Sequence, residues 1–552
     1  MMKRSVQFLI ISTLLITASS TFAQKKAENP IPHLEKRGQV TQLIVDGKPY
    51  LVLGGELHNS NTSSLEYLKP IMAKVAAMHF NTVLGAVTWD LTEPQEGKFD
   101  FSLVDGLIKQ SRDNKMKLVI LWFGSWKNGM SHYVPEWVKK DQVRFPRVKM
   151  GNHKSTETLN VFAQENLKAD AKAFAALMKH IKAIDSKERT VIMIQVENEV
   201  GIHGDNRDRS DIANANFDKP VPAELMNGLQ KYQTDLQPAF KEAWEKAGAK
   251  TTGTWAEVFG NNAFGDEVFM AWHYAKYVNA VTAAGKAEYN IPMYVNAWIS
   301  PVYPRGGPVA YMHDVWRVGA PRLDIFSPDI YQPDFKGIIP LFHHSWNPLF
   351  IPECAADSAG ASNAYYAIGM HNAIGYSPFA IEDRVADPVN GPIPKAYKLL
   401  TGFAPVILDA QSKGTITAVT LNKANPTQTI NMNGYTIELR TRRKKMGNER
   451  FAPNSSYGII ISSGPDEFIL SGVNLEATFA PSTPGPQIAG IASLWEGVYD
   501  HGVWKPGRKL NGDNIAQSYA MTEQANRNQT GMVVRFEGGG PGILKVKLYK
   551  FD

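Results

Sequence analysis

Eight short apolar runs rich in strand-forming residues recur between residues 49 and 383, separated by stretches with helical hydrophobic spacing. In order they are PYLVLGGEL (49–57), NTVLGAVTW (81–89), KLVILWFG (117–124) and TVIMIQVEN (190–198), then PMYVNAW (292–298), DIFSPDIY (324–331), PLFIPE (348–353) and GYSPFAIED (375–383). A parallel strand pair needs a crossover of a dozen or more residues, so this alternation specifies βα units on a parallel sheet. Eight such units predict a (β/α)8 TIM barrel in preference to a doubly wound sheet. The intervening helices show the required stripe: Leu65, Leu68, Met72, Val75 and Ala76 in one, and Leu167, Ala171, Phe174, Leu177, Met178 and Ile181 in another. The interval 201–290, with helical stretches near 223–247 and 266–288, is an elaborated crossover expected to shape the barrel mouth.

From about residue 405 the pattern changes to β-rich runs punctuated by Gly, Pro and Asn, among them GTITAVTL, YGIIISSG, EFILSG, MVVRFEGG and GILKVKLYKF. The expected organisation is a barrel over 24–404 and a smaller, sandwich-like all-β domain over 405–552. Residues 1–23 combine a basic start (Lys3, Arg4), an apolar stretch and small residues up to Ala23, which reads as a signal peptide. No Cys follows that stretch, which argues against a lipid anchor, and no other segment is apolar enough to insert in a membrane. The expected location is therefore the periplasm or the medium.

The net charge of +6 falls to +4 when Lys3 and Arg4 are removed, which is no footprint for nucleic acid. The dense basic run LRTRRKK (439–445) reads as a solvated hairpin or loop. Cys354 is the single cysteine, so stability must come from packing and not from an intramolecular disulfide.

In a (β/α)8 barrel the reactive groups stand at the C-terminal ends of the strands. Those ends carry Glu56 and His58; Trp89 and Glu93; Trp122, Gly124 and Trp126; Glu197, Asn198 and Glu199. The later four carry Asn296 and Trp298; Asp329 and Tyr331; Glu353; and Glu382 with Asp383. Carboxylates and aromatics thus converge on one face, a combination suited to sugar chemistry. Glycosidic cleavage needs one carboxyl to protonate the leaving oxygen and a second to attack the anomeric carbon or activate water. Aromatic rings supply flat faces for a pyranose, and crowded carboxylates keep one acid protonated near neutral pH. Glu353 is the partner expected for the carboxylates of VENE. Spacing does not choose between Glu197 and Glu199, which share strand parity.

These residues carry a resemblance. The chain is similar to the retaining (β/α)8 glycosidases of clan A, in which Asn-Glu closes strand four and Glu closes strand seven. Within that clan it resembles glycoside hydrolase family 35, the β-galactosidases. QVENEVG (195–201) matches the family's Gln-x-Glu-Asn-Glu-x-Gly element, and VTWDLTEPQEGKFDFS (87–102) matches Trp-x-x-x-Glu-Pro-x-x-Gly-x-x-Asp-Phe. The resemblance covers about 45–400 and implies Glu199 as acid/base, Glu353 as nucleophile, Asn198 on the sugar 2-hydroxyl and Tyr331 orienting the nucleophile. Two departures stand out. WFGSWKNG (122–129) replaces an Asn-Ala-Glu-like element, and GGELHNS (54–60) replaces a Ser-Gly and His-Tyr start, which marks a divergent bacterial branch.

Further substrate contacts are expected from Glu197, Trp122, Trp126, Trp89, Trp298 and His58, whereas Glu93, next to Pro94, is expected to fix its loop. His343 and His344 are adjacent, so they would point to opposite sides of a strand and lack a third ligand at metal spacing. Neither a metal nor a cofactor is expected, and Cys354 reads as a packed small hydrophobe. The implied activity is that of an exo-acting retaining β-galactosidase on a β-galactoside oligosaccharide of plant cell-wall type, such as a xyloglucan side chain. The oligomeric state is open. The alternatives are another clan A glycosidase, a β-glucosidase or endo-glucanase, and a non-catalytic carbohydrate-binding barrel.

Overall fold

The computed structural model describes residues 31–299, 305–357, 359–385, 387–442, 444–446, 449–451, 455–510, 512–515, 533–536 and 541–552. The signal-peptide reading of residues 1–23 lies outside them. All eight predicted barrel strands are present: β1 (Val52–Glu56), β2 (Thr82–Thr88), β3 (Lys117–Lys127), β4 (Val191–Asn198), β5 (Met293–Trp298), β6 (Ile325–Ile330), β7 (Phe350–Ile351 with Glu353–Cys354) and β8 (Gly375–Tyr376). They pair in parallel in chain order. The two halves of β7, split at Pro352, join opposite edges: Phe350 and Ile351 pair with β8, while Glu353 and Cys354 pair with β6. β8 in turn pairs with β1, and the ring closes.

The strands are apolar up to their C-terminal ends for the most part, because both faces are covered. Val52, Leu84, Leu121, Met193, Tyr294, Ile325 and Phe350 fill the barrel interior. Leu118, Ile120, Val191, Ile194 and Val196 face the helices. The helical stripes behave as their spacing dictates. Leu68, Met72 and Val75 of α1 (Leu65–Ala77) are buried, as are Phe174, Leu177, Met178 and Ile181 of α2 (Gln164–Asp185). The elaborated crossover ends in the long α3 (Ala263–Glu288); the stretch predicted as one helix over 223–247 is two, Ala223–Lys231 and Pro238–Lys246. Pro238 restarts the helix, since proline is accommodated in a first turn but not in an interior.

Two elements of the outer architecture differ from the sequence reading. An antiparallel hairpin, His33–Arg37 with Val40–Val45, precedes the barrel. A helix, α5 (Pro392–Lys413), runs through the expected boundary between 404 and 405, so the first strand of the C-terminal unit starts only at Ile416. That unit is a sandwich of antiparallel sheets. One has six strands in the order Ile416–Leu421, Ser456–Gly464, Glu467–Val473, Gly542–Phe551, Ile488–Asp500, Val503–Lys509. The other has four: Thr427–Met432, Tyr435–Thr441, Leu475–Pro481, Val534–Arg535. Val419, Leu470 and Val546 meet Tyr435, Ile437 and Leu475 between them.

The outer face of the larger sheet docks on the barrel. Ile459, Ile461 and Ile543 join Tyr365 and Ile368 of α4 (Gly360–His371) and Phe403 and Ile407 of α5 in the main core. Gly369 permits that approach: a Cβ there would stand 2.7 Å from the side chains of both Ala418 and Ile459. Among the described residues no helix is long and apolar enough to cross a membrane.

Candidate active site

The site is built where β4 stops pairing regularly. Trp122 of β3 pairs with Val196, but the next pair is Lys127 with Asn198, so the intervening β3 residues bulge against the single residue Glu197. Glu197 and Glu199 both adopt the left-handed backbone region, at φ +62° and +44°. Each such non-glycine residue stores about 1–3 kcal/mol of strain, and such strain clusters at functional sites. The strict alternation of a strand is therefore broken at this point.

Glu197 consequently turns behind the sheet. One of its carboxylate oxygens accepts the Trp126 backbone N–H at 2.7 Å, and the carboxyl faces Asp170 of α2. Asp170 itself accepts from Trp122 Nε1 at 3.1 Å and Ser125 Oγ at 2.6 Å. Burial, and then the neighbouring Asp170 carboxylate, push the Glu197 carboxyl well above its ordinary range. Gly124 leaves the space for this cluster, since a Cβ there would lie 2.4 Å from Trp122 Nε1, 2.6 Å from Glu197 Oε1 and 2.7 Å from Asp170 Oδ1.

The expectation that Glu197, Trp122, Trp126 and Trp89 touch substrate is thereby corrected. Trp122 packs on Phe174 of α2, and Trp126 on Tyr274 and Tyr277 of α3. Trp89 is fully buried against Trp137 and donates its indole N–H to Glu93 at 2.8 Å. Glu93 also accepts from the Gly97 backbone, which holds the loop. Position at a strand end gives depth along the barrel axis, but the bulge decides which side of the sheet the side chain takes.

The mouth holds a different group. One carboxylate oxygen each from Glu199, Asp329 and Glu353 lie within 4.8 Å of one another. Strand register puts them there, because Asp329 pairs with Glu353 across β6 and β7, and Trp298 with Asp329 across β5 and β6. Tyr331 donates its hydroxyl to Glu353 Oε1 at 2.5 Å, and Trp298 stacks on Tyr331 with ring centroids 5.3 Å apart. The backbone N–H of Glu199 donates to Asn296 Oδ1 at 3.0 Å, and Asn296 Nδ2 donates to Asp329 Oδ2 at 2.7 Å. Asn198 is fully buried, yet neither end of its side-chain amide bonds to a described protein group. Glu353 Oε2 and Glu199 Oε1 are likewise without partner.

The electrostatics follow from crowding. Burial raises Glu199 to about 7, helped by the Glu353 charge and opposed by Lys127 and by a hydrogen bond from Asp329. Burial also holds Asp329 and Glu56 well above the carboxylate range, with Glu353 the next cause for each. Sequence reading placed Glu56, Asn296 and Asp329 at strand ends without a role, and it overlooked Lys127. The available signal was a second lysine, at the far end of the mostly apolar run KLVILWFGSWK.

His58 stands at the edge of this region. Its Nδ1 lies 2.7 Å from Glu382 Oε1, and Asn61 donates to the same oxygen. His58 with Glu382 and Asp383, and Glu199 with Asp329 and Glu353, are both spaced closely enough to share a cation. Hydrogen bonds already account for much of the first group and for the Asn296 side of the second. His343 and His344 precede β7, at the opposite end of the strands from Glu353; His344 stacks on Trp346, and His343 meets His371. Cys354 is buried, and burial pushes its thiol up.

Comparison with known proteins gives two family matches. Residues 59–331 match the β-galactosidase family Glyco_hydro_42, and residues 393–522 match DUF5597, a domain of unknown function. The β-galactosidase of Xanthomonas manihotis is 29% identical over 195 residues, covering 33% of this chain and 30% of that protein. Human β-galactosidase-1-like protein 3 is 41% identical over 58 residues, covering 10% and 9%. The chain thus spans less than a third of the length of these curated relatives. Among solved structures, the β-galactosidase of Rahnella sp. R3 aligns with TM-score 0.45 at 15% identity, covering 65% of this chain and 57% of that one. The matched family is number 42, where the motifs resemble family 35. At the coarser level the two agree: the barrel is similar to β-galactosidases.

Proposed function

We propose that the chain is an exo-acting, retaining β-galactosidase in which Glu353 is the nucleophile and Glu199 the acid/base. One observation carries this reading: the Glu199 and Glu353 carboxylates approach within 4.8 Å at the barrel mouth. Double displacement calls for carboxyl groups about 5–5.5 Å apart, whereas inversion leaves room for a water at about 6.5–9.5 Å. Tyr331 occupies one oxygen of Glu353 and leaves Oε2 to attack the anomeric carbon. The unpartnered amide of Asn198 supports its role on a sugar hydroxyl, because a buried amide without partners costs free energy that a ligand recovers.

The same geometry cycles the proton. Glu199 is raised to about 7 partly by the Glu353 charge, so near neutrality it retains a proton for the leaving oxygen. Forming the galactosyl ester on Glu353 removes that charge. Glu199 then falls toward its ordinary range and acts as base for the incoming water.

The substrate proposed is a galactose-bearing plant cell-wall oligosaccharide, with xyloglucan side chains as an example, met outside the cytoplasm. Support comes from the resemblance for galactose and from the leader-like residues 1–23 for export. Membership of family 35 in particular rests on QVENEVG and the Trp-to-Phe motif. A panel of aryl β-glycosides tests specificity: galactoside should turn over far faster than its gluco-epimer, and the reverse order would indicate a β-glucosidase. Trapping with a 2-fluoro-galactosyl inactivator should label Glu353, and label on Glu199 would reverse the roles.

A further inference from the structure

We propose that Asp329 is a positioning residue that acts as a neutral hydrogen-bond donor to Glu199, its free oxygen carrying the proton. This deepens the glycosidase reading and rests on it. One group in this chain of contacts has no choice of role. A backbone N–H can only donate, and that of Glu199 points at the Asn296 side chain, so the acceptor there is Asn296 Oδ1. The amide orientation is then fixed, and Asn296 Nδ2 faces Asp329 Oδ2 at 2.7 Å as a donor. Oδ2 is thereby an acceptor. Asp329 Oδ1 is left buried and without a hydrogen bond to a described group, and an oxygen of the Asp329 carboxyl lies within 4.8 Å of one of Glu199.

Two carboxyl groups in contact share a proton more stably than they hold two charges. The surroundings decide which keeps it. Facing Asp329 are Glu199 from β4's end, Glu353 from β7, Glu56 from β1 and the phenols of Tyr294 and Tyr331, with Lys127 from β3 as the cation acting on Glu199. Asp329 is fully buried and already linked to Asn296, and burial with the Glu353, Glu199 and Glu56 carboxylates pushes its carboxyl up, whereas Lys127 acts on Glu199 in the opposite sense. It therefore keeps its proton while Glu199 loses and regains one. The donated bond orients the Glu199 carboxyl and stabilises its ionised form during the second half of the reaction. Asn296 is the strut of the arrangement, tying the backbone of the acid/base residue to the residue that orients its side chain.

The test uses the full-length protein and the pH dependence of kcat/KM for an aryl β-galactoside. Asp329→Asn reproduces a protonated aspartate, with an NH2 toward Glu199 and a carbonyl toward Asn296. It should keep kcat/KM within about threefold of wild type and leave the alkaline limb in place. Asp329→Ala lacks the donor and should move that limb upward by about a unit while lowering kcat/KM at least tenfold. A downward move of a unit or more in Asp329→Asn would show that Asp329 is ionised in the wild type and overturn the inference. An unchanged limb in both variants would overturn it too. A second readout does not need turnover: the infrared carbonyl absorption of protonated carboxylic acids at pH 7, to which Glu56 and Glu197, also raised by burial, contribute in both proteins, should lose one component band in Asp329→Asn. If that band is lost but no aryl glycoside is cleaved by the wild type, the glycosidase reading fails and the protonation of Asp329 stands.

Discussion

Gly124→Ala offers the sharpest test of how the bulge places Glu199. A Cβ at 124 would meet Trp122 Nε1, Glu197 Oε1 and Asp170 Oδ1 at 2.4, 2.6 and 2.7 Å, each well inside van der Waals contact. All three groups are fully buried and hydrogen-bonded to one another or to the backbone, so none can swing into solvent. Overpacking of this kind costs about 1–3 kcal/mol, and losing the bond from Trp126 N–H to the Glu197 carboxyl adds about 1–3 kcal/mol, for a total of about 2–6 kcal/mol. Glu199 follows two residues later on the same strained segment. A displacement near 1 Å there should also reduce kcat by about 10²-fold. The assay is the urea midpoint of the barrel transition with kcat on the same preparations, for Gly124→Ala, Glu197→Ala and the double variant. Removing the Glu197 carboxylate opens the space, so the alanine at 124 should cost at least ~1 kcal/mol less in that background. Additive effects, or a Gly124→Ala protein within 0.5 kcal/mol of wild type, would refute the claim that this cluster sets the bulge.

Because Glu199 must be protonated to donate, kcat/KM should fall as pH rises through about 7, and a limb two units higher would exclude Glu199 as the acid. Tyr331→Phe removes a hydrogen bond to a charged oxygen worth about 1.5–3 kcal/mol, so kcat/KM should drop about 10–100-fold with little change in the urea midpoint; a drop under threefold would make the contact incidental. Glu353→Gln should abolish turnover by at least ~10³-fold yet raise stability above pH 7. Glu199 is an acid whose folded-state value, about 7, exceeds the ordinary 4.5, so its favourable contribution is complete below 4.5 and is lost as pH rises through 7. Removing the Glu353 charge lowers that folded value, and urea midpoints from pH 5 to 9 should fall less steeply in the variant than in the wild type.

The eight strands were legible because a parallel strand covered on both faces must be apolar throughout, and no other element leaves such runs at this spacing. The aggregation of carboxylates at one end was legible for the same reason: a charge that closes a buried strand needs a partner. What the linear pattern could not show is side. Glu197 and Glu199 share parity, and only the left-handed backbone at both, set against the bulge in β3, sends one behind the sheet and the other into the mouth. Trp122 and Trp126 misled for the same cause, since they flank Gly124 in a strand that continues to Lys127 and packs on α2 and α3. The partnership of Asn296 with Asp329 depends on the register of β5 against β6, which separations in sequence do not encode.

That register also explains why the site tolerates its own repulsion. Glu56, Glu199, Asp329 and Glu353 come from four different strands, so no local backbone change can separate them without shearing the barrel. Burial and the neighbouring carboxylates push two of the four, Glu56 and Asp329, well above the carboxylate range, and Lys127 offsets part of the repulsion at Glu56 and Glu199. The ring of parallel strands is in turn clamped outside by α4 and α5, which the six-stranded sheet covers through Ile459, Ile461 and Ile543. A rigid frame of this kind holds the Glu353 carboxyl beside Glu199, which burial raises to about 7. The two states of the proposed double displacement then differ by the ester on Glu353 and the proton on Glu199, with the strands left where they are.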